Sequence, residues 1–267
     1  MIETIMDRKS VRSYDGKGLT AEERDKILEY SKNIRTPFGI EAEYRILDAA
    51  EYGLSSPVLT GVDTYIAGKT EIKPLADVSF GYGFEKLLLY AVSLGLGTVG
   101  IAGTMNRDAF EKAMELKDNE FMPCMSPLGH PAARRSMRES LMRKGVKADS
   151  RIPYNELFFE GTYGTPLSEA KYLEMKDCLE VVRWAPSAVN KQPWRLVFDG
   201  DSVHFFEHRD RGYKIANGMD LQKVDLGIAI CHFDLALDEK SSGHEIVIDD
   251  PGLALPEYTE YICTFRL

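Results

Sequence analysis

Two stretches of this chain, residues 84–94 and 224–236, read as helices of similar length built mostly from apolar residues. A helix with little wet surface must be enclosed by other elements, so both have to lie inside the molecule. Around each runs the same order of elements. In the first half, Thr20 and Glu23 form a capping box that starts a helix with the apolar face Ile27, Tyr30 and Ile34. Pro37 and Gly39 end it, and Tyr44-Arg45-Ile46-Leu47 reads as a strand ahead of the first buried helix. In the second half, Leu167-Ser168-Glu169 starts a helix with the face Tyr172, Met175, Leu179 and Val182. Pro186 ends it, and Trp194-Arg195-Leu196-Val197-Phe198 reads as the matching strand. Helix, strand, buried helix, strand thus occurs twice. Periodicity alone leaves open whether this is an internal repeat or chance recurrence, and does not choose between α/β and α+β. Residues 257–267 read as a terminal strand.

At 267 residues the chain can build one large or two modest domains with a real core. No Pro/Ser-rich linker divides it, so one compact body is expected. A net charge of −9 argues against binding nucleic acid or an anionic membrane surface. Residues 1–8 are acidic where a secretory leader needs a basic start. The longest apolar stretch, 87–103, is interrupted by Ser93, Gly95, Gly97 and Gly100, which is poor material for a membrane span. Cys124, Cys178, Cys231 and Cys263 are widely spaced and make neither a zinc pattern nor a disulfide framework. A cytoplasmic protein is the expectation. Residues 132–147 carry Arg134, Arg135, Arg138, Arg143, Lys144 and Lys147 and read as a solvated helix face.

Three segments could carry chemistry. Ala185-Pro186-Ser187-Ala188-Val189-Asn190-Lys191-Gln192-Pro193-Trp194 is a stiff turn, because Pro186 fixes its own φ and pushes Ala185 out of the helical region. Ser187 and Asn190 could grip a polar, planar ligand from it, or the turn could be mere architecture. In Arg8-Lys9-Ser10-Val11-Arg12, residues 8, 10 and 12 share one side of an extended segment. Two guanidiniums beside a hydroxyl suit a phosphate, although surface arginines next to a serine are common. The glycines of residues 94–103 let backbone N–H groups approach a ligand, or simply end a helix. They follow a helix and not a strand, so the G-x-G-x-x-G context of a dinucleotide fold is not met. G-x-S-x-G, H-E-x-x-H and Walker patterns are absent, and His204 and His208 have poor spacing for a metal.

Together the segments 8–12, 91–98, 127–132 and 185–194 resemble those of the FMN-dependent nitroreductase family, and more particularly its fused-repeat, single-chain members. In that family the proline-serine-asparagine turn follows the arginine segment closely; here it lies more than 170 residues later. The first half has Thr36-Pro37-Phe38-Gly39-Ile40-Glu41 where the turn belongs, and the second half lacks an arginine-serine segment. Family members are homodimers with FMN between subunits, so the resemblance implies a fused pseudo-dimer with one competent composite site. It implies an α+β fold: two pseudo-symmetric halves, 1–160 and 165–267, each with a mixed, mostly antiparallel sheet, and buried helices at the internal interface. It implies that Arg8, Lys9, Ser10, Arg12 and Arg151 hold the phosphate and ribityl end of FMN. Ala102 and Gly103 would place backbone N–H groups by flavin N5 and O4, and Pro186, Ser187 and Asn190 would close the site. Lys69 and Lys73 are candidates for the pyrimidine edge. The implied activity is ping-pong hydride transfer from NAD(P)H through the flavin to a nitroaromatic, quinone or similar acceptor, without a protein acid or base and without a metal. A non-catalytic flavin carrier or sensor on the same fold is the alternative. With the dimer internal, a monomer is expected.

Overall fold

The computed structural model describes residues 1–134, 136–145, 147–213 and 219–267. Its centre is a pair of helices, Ala76–Ser93 and Leu221–Glu239. Thirteen of the 18 residues of the first and thirteen of the 19 of the second are buried, so both are enclosed as their composition requires. They cross at two glycines. A Cβ at Gly81 would lie 2.0 Å from the Val224 carbonyl oxygen, and one at Gly227 would lie 2.0 Å from the Val78 carbonyl oxygen. Only glycine allows backbones this close. Gly81 and Gly227 stand 146 positions apart, and the same shift carries the first helix onto residues 222–239, almost the whole of the second.

The sequence reading starts the first central helix at residue 84, whereas the structure starts it at Ala76. Gly81 and Gly83 read locally as helix breakers at about 1 kcal/mol each, but packing against the partner helix overrides that preference. The second central helix starts at Leu221, where the Asp220 carboxylate caps it by accepting from the Gln222 and Lys223 amides at 2.9 and 3.4 Å.

Two sheets flank the pair. The first joins β1 (Glu43–Asp48), β2 (Thr64–Glu71), β3 (Glu120–Phe121) and β4 (Met125–Pro127), with β2 pairing the other three. Seven of the eight β2 residues are buried, as befits a strand covered on both faces. The second joins β5 (Phe158–Glu160), β6 (Trp194–Asp199), β7 (Ser202–His208), β8 (Glu245–Val247) and β9 (Thr259–Arg266) in the order β5-β6-β7-β9-β8. β5 and β6 run parallel; the remaining ladders among the described residues are antiparallel. The first sheet meets its helix through Ile66, Tyr44, Phe80 and Phe84. The second meets the other helix through Phe205, Phe233 and Phe265, with ring centroids 4.9–5.5 Å apart. The α+β architecture is the expected one.

The capping box is complete: the Glu23 amide donates to Thr20 Oγ1 at 3.2 Å and the Thr20 amide to Glu23 Oε2 at 2.7 Å, ahead of the helix Ala21–Lys32. The helix expected to run unbroken through Tyr172 and Val182 is two, Glu169–Glu174 and Lys176–Arg183, separated at Met175. Tyr172, before the break, lies on the ring of Tyr154 with centroids 4.1 Å apart. An additional helix, Ile2–Asp7, buries Ile5 in the core of the second half, so one core spans both halves. The basic stretch forms the helix Met137–Gly145 with Arg134, Lys144 and Lys147 exposed. It is not wholly solvated, because Glu139 is buried and accepts from Ser13 Oγ at 2.9 Å. Arg135 and the side chains of Arg138 and Arg143 lie outside the described residues. The four cysteines are unpaired and buried. His204 and His208 hydrogen-bond Thr264 and Thr259 across the sheet, each at 2.8 Å. Among the described residues no His/Cys/Asp/Glu group could hold a metal, and no helix is long and apolar enough to cross a membrane.

Candidate functional site

A cavity of about 630 Å³ opens beside the crossing of the central helices. Ten of the twelve candidate residues from the sequence line it: Arg8, Lys9, Ser10, Arg12, Ala102, Gly103, Arg151, Pro186, Ser187 and Asn190. Phe84 and Leu88 of the first central helix and Val224 and Ile228 of the second form apolar walls.

One jaw is the extended chain after the helix Ile2–Asp7. Ser10 bridges Thr98, and the Val11 amide donates to the Thr98 carbonyl at 3.0 Å. A Cβ at Gly97 would lie 2.8 Å from Val11 Cγ1, so this glycine lets Val11 pack inward and fixes the register of its neighbours. The glycine-rich run continues as an edge: Val99 donates to Ser126 Oγ at 3.1 Å, and Ile101 pairs with Met125 in both directions at 2.8 and 3.0 Å.

The other jaw is the turn 185–194. Val189, Asn190 and Gln192 all have positive φ, at 45°, 59° and 52°. A β-branched valine there is strained by roughly 1–3 kcal/mol, a cost that persists only where surrounding bonds over-determine the backbone. Those bonds are present. The Ala188 amide donates to Asp225 Oδ2 at 2.9 Å, the Asn190 amide to the Ser187 carbonyl at 3.0 Å and the Gln192 amide to Ser187 Oγ at 2.9 Å. The Asn190 side-chain amide donates to the Lys147 and Ser150 carbonyls at 2.9 and 3.1 Å. Ser187 and Asn190 therefore brace the turn and tie it to the segment that delivers Arg151. The Arg151 guanidinium lies 4.2 Å from the Trp184 ring centroid and donates to the Ala148 carbonyl at 2.9 Å.

Charge is uneven around the cavity. Arg8, Lys9, Arg12 and Arg151 supply four cations in a chain of net charge −9. Three carboxyl groups share the lining: Glu85, Asp149 and Asp225. Burial pushes the Asp225 carboxyl well above the usual carboxylate range, against the opposing Ala188 N–H. Burial also disfavours charge on Glu85, but the hydrogen bond to His232 and the nearby Arg8 outweigh it and hold that carboxyl below the usual range. His232 Nε2 lies 2.9 Å from Glu85 Oε1, and His232 Nδ1 donates to the Val181 carbonyl at 2.9 Å. Arg8 Nε stands 3.8 Å from Glu85 Oε1. Burial keeps the Cys124 thiol protonated and a poor nucleophile. The cavity lining thus combines four cations with apolar walls from both central helices.

Over residues 1–237 the chain matches the model of a protein family described as "Putative TM nitroreductase". The chain belongs to this nitroreductase family. Its fold is similar to that of a Thermotoga maritima protein described as a "putative nitroreductase", at 21% identity and a TM-score of 0.64, covering 100% of this chain and 93% of the other. A nitroreductase family protein of Clostridium difficile matches at 17% identity and a TM-score of 0.45, covering 57% of this chain and 93% of its own. An oxidoreductase containing FMN matches at 14% identity and a TM-score of 0.49, covering 61% and 92%. No curated protein matches. In this nitroreductase-family chain, Lys69 and Lys73 stay away from the cavity. Lys69 is buried and bonds the Glu115 carbonyl and Glu120 Oε2 at 3.2 and 2.9 Å, and Lys73 pairs with Glu71 at 3.2 Å. Glu85, Trp184 and Asp225 were not anticipated as lining residues. For Glu85 and Asp225 the readable signal was a carboxyl group inside an otherwise apolar helix.

Proposed function

We propose that this nitroreductase-family oxidoreductase binds one FMN between residues of its two halves, 1–160 and 165–267, and works as an NAD(P)H oxidoreductase. The observation that carries this reading is convergence. Segments more than 170 residues apart in sequence meet around one cavity lined by four cations and by apolar walls. That donor set fits FMN: Arg8, Lys9, Ser10, Arg12 and Arg151 would hold the phosphate and ribityl end. The walls from Phe84, Leu88, Val224 and Ile228 would enclose the ring and exclude water, and the backbone N–H groups of Ala102 and Gly103 would face it. The braced turn at Pro186, Ser187 and Asn190 would close the site without having to reorganise on binding. Bound FMN would supply the hydride chemistry, taking it from NAD(P)H and passing it to a nitroaromatic, quinone or similar acceptor by a ping-pong route.

The opposite end of the helix pair supports one flavin rather than two. The 146-residue shift sets Tyr82 in the place of Ile228 and Asp234 in the place of Leu88. There Tyr82 Oη donates to Asp234 Oδ2 at 2.5 Å, His244 Nε2 lies 2.8 Å from Asp234 Oδ1, and Lys86 Nζ donates to Tyr82 Oη at 2.8 Å. A hydrogen-bonded plug stands where the other end has cavity wall. The chain is thus read as an internal pseudo-dimer that acts as a monomer.

Arg12→Ala tests the phosphate end. A charge-assisted hydrogen bond contributes roughly 1.5–3 kcal/mol, so the Kd for FMN, measured by fluorescence titration, is expected to rise about ten- to a hundredfold. An unchanged Kd removes Arg12 from the site.

A further inference from the structure

We propose that Arg107 is a positioning residue that aims the Gly103 backbone N–H into the cavity; the inference rests on the flavin reading of that cavity. Arg107 is the first residue of the helix Arg107–Ala113 and does not itself line the cavity. Its guanidinium reaches back along the glycine-rich loop. Nη2 donates to the Ala102 carbonyl at 2.9 Å and to the Pro123 carbonyl at 3.3 Å. Nη1 donates to the Met122 carbonyl at 2.8 Å and pairs with Glu111 Oε1 at 3.1 Å. Three backbone carbonyls converge on one planar fork, which an ammonium group could not serve in the same geometry.

The Ala102 carbonyl and the Gly103 N–H belong to one trans peptide, so they lie in its plane and point in opposite directions. Pinning the carbonyl to Arg107 therefore turns the N–H away from Arg107. Gly103 lines the cavity, and no protein group accepts from its amide among the described residues. The loop is held a second time two residues on, where Ser56 Oγ donates to the Thr104 carbonyl at 2.5 Å. Asn106 locks the far end: its Oδ1 accepts from the Ser55 amide at 2.9 Å and its Nδ2 donates to the Gly53 carbonyl at 2.8 Å. A peptide anchored on both sides presents its donor without reorganising, which is the condition for stabilising charge that develops on a bound group.

The readout is the midpoint potential of bound FMN, with FMN affinity measured alongside. Arg107→Gln removes the fork, and Arg107→Lys keeps the positive charge while removing the planar arrangement. In both variants reduction of the bound flavin is expected to become about tenfold less favourable, a shift of about 30 mV to more negative potential for a two-electron couple. The Kd for FMN is expected to change by less than about threefold, because the cations at the phosphate end are untouched. Should Arg107→Gln not fold, Arg107→Lys alone decides. A wild-type potential in Arg107→Lys assigns any effect to charge and overturns the proposal, as does an unshifted potential in both variants. Wild-type protein that takes up no FMN overturns the reading of the cavity, and this inference with it; FMN uptake with unshifted potentials overturns this inference alone.

Discussion

Gly227→Ala is expected to destabilise the fold by about 3 kcal/mol, the upper end of what overpacking a core usually costs. The added Cβ would sit 2.0 Å from the Val78 carbonyl oxygen and 2.7 Å from the Tyr82 amide nitrogen. Both are backbone atoms of the facing helix, so no side-chain rotation relieves the clash and the helices must move apart. Separation would loosen Val78, Tyr82, Leu226 and Ile230, all of them in the core that spans both halves. Gly81→Ala, whose Cβ would meet the Val224 carbonyl at 2.0 Å, is expected to behave alike. Gly18→Ala is the control: a Cβ there meets nothing within 4 Å, and a change within about 0.5 kcal/mol is expected. Urea unfolding measures all three. Because the cavity takes walls from both helices, FMN uptake should fall with stability in the first two. A loss below about 1 kcal/mol in Gly227→Ala would contradict the close crossing.

His232→Leu is expected to cost about 3–5 kcal/mol, as leaving a buried carboxylate without its partner does. It strips the hydrogen bond from Glu85, which is 2% exposed, and leaves that carboxylate with Arg8 at 3.8 Å. The loss should depend on pH with a definite sign. In the wild type the Glu85 carboxyl titrates below its ordinary value, so its contribution is present above the unfolded value of about 4.3 and is lost as pH falls through the folded value. In His232→Leu, burial is opposed only by Arg8, and protonation of Glu85 removes the buried charge. The deficit relative to wild type should therefore shrink toward acid pH. The double variant Glu85→Leu, His232→Leu removes the buried carboxylate along with its partner and should recover much of the single variant's loss. Urea unfolding at pH 5 and pH 7.5 checks both points. A pH-independent deficit, or a double variant no more stable than the single, would show that the Glu85 carboxylate does not depend on His232.

How far the sequence carried depended on how local each signal was. The helix after Thr20 was legible because its capping box acts within four residues. The central helices were legible as buried bodies, but Gly81 and Gly83 hid the first two turns of one of them, since a glycine that permits close packing looks locally like a breaker. Met175 carried no local sign that the helix would break there. The cavity residues were legible as segments, through Arg8 to Arg12 and the turn at Pro186, and those segments do meet. What Ser187 and Asn190 hold was not legible, because their partners Gln192, Lys147 and Ser150 are set by the tertiary path. Nor was the work of Arg107, which acts through carbonyls, and carbonyls leave no mark in a sequence.

The central claim is one composite flavin site, and the visible absorption spectrum of protein reconstituted with FMN and freed of excess tests it most directly. A flavin spectrum with one FMN released per chain on denaturation is the expected result. No FMN, or two per chain, would contradict it.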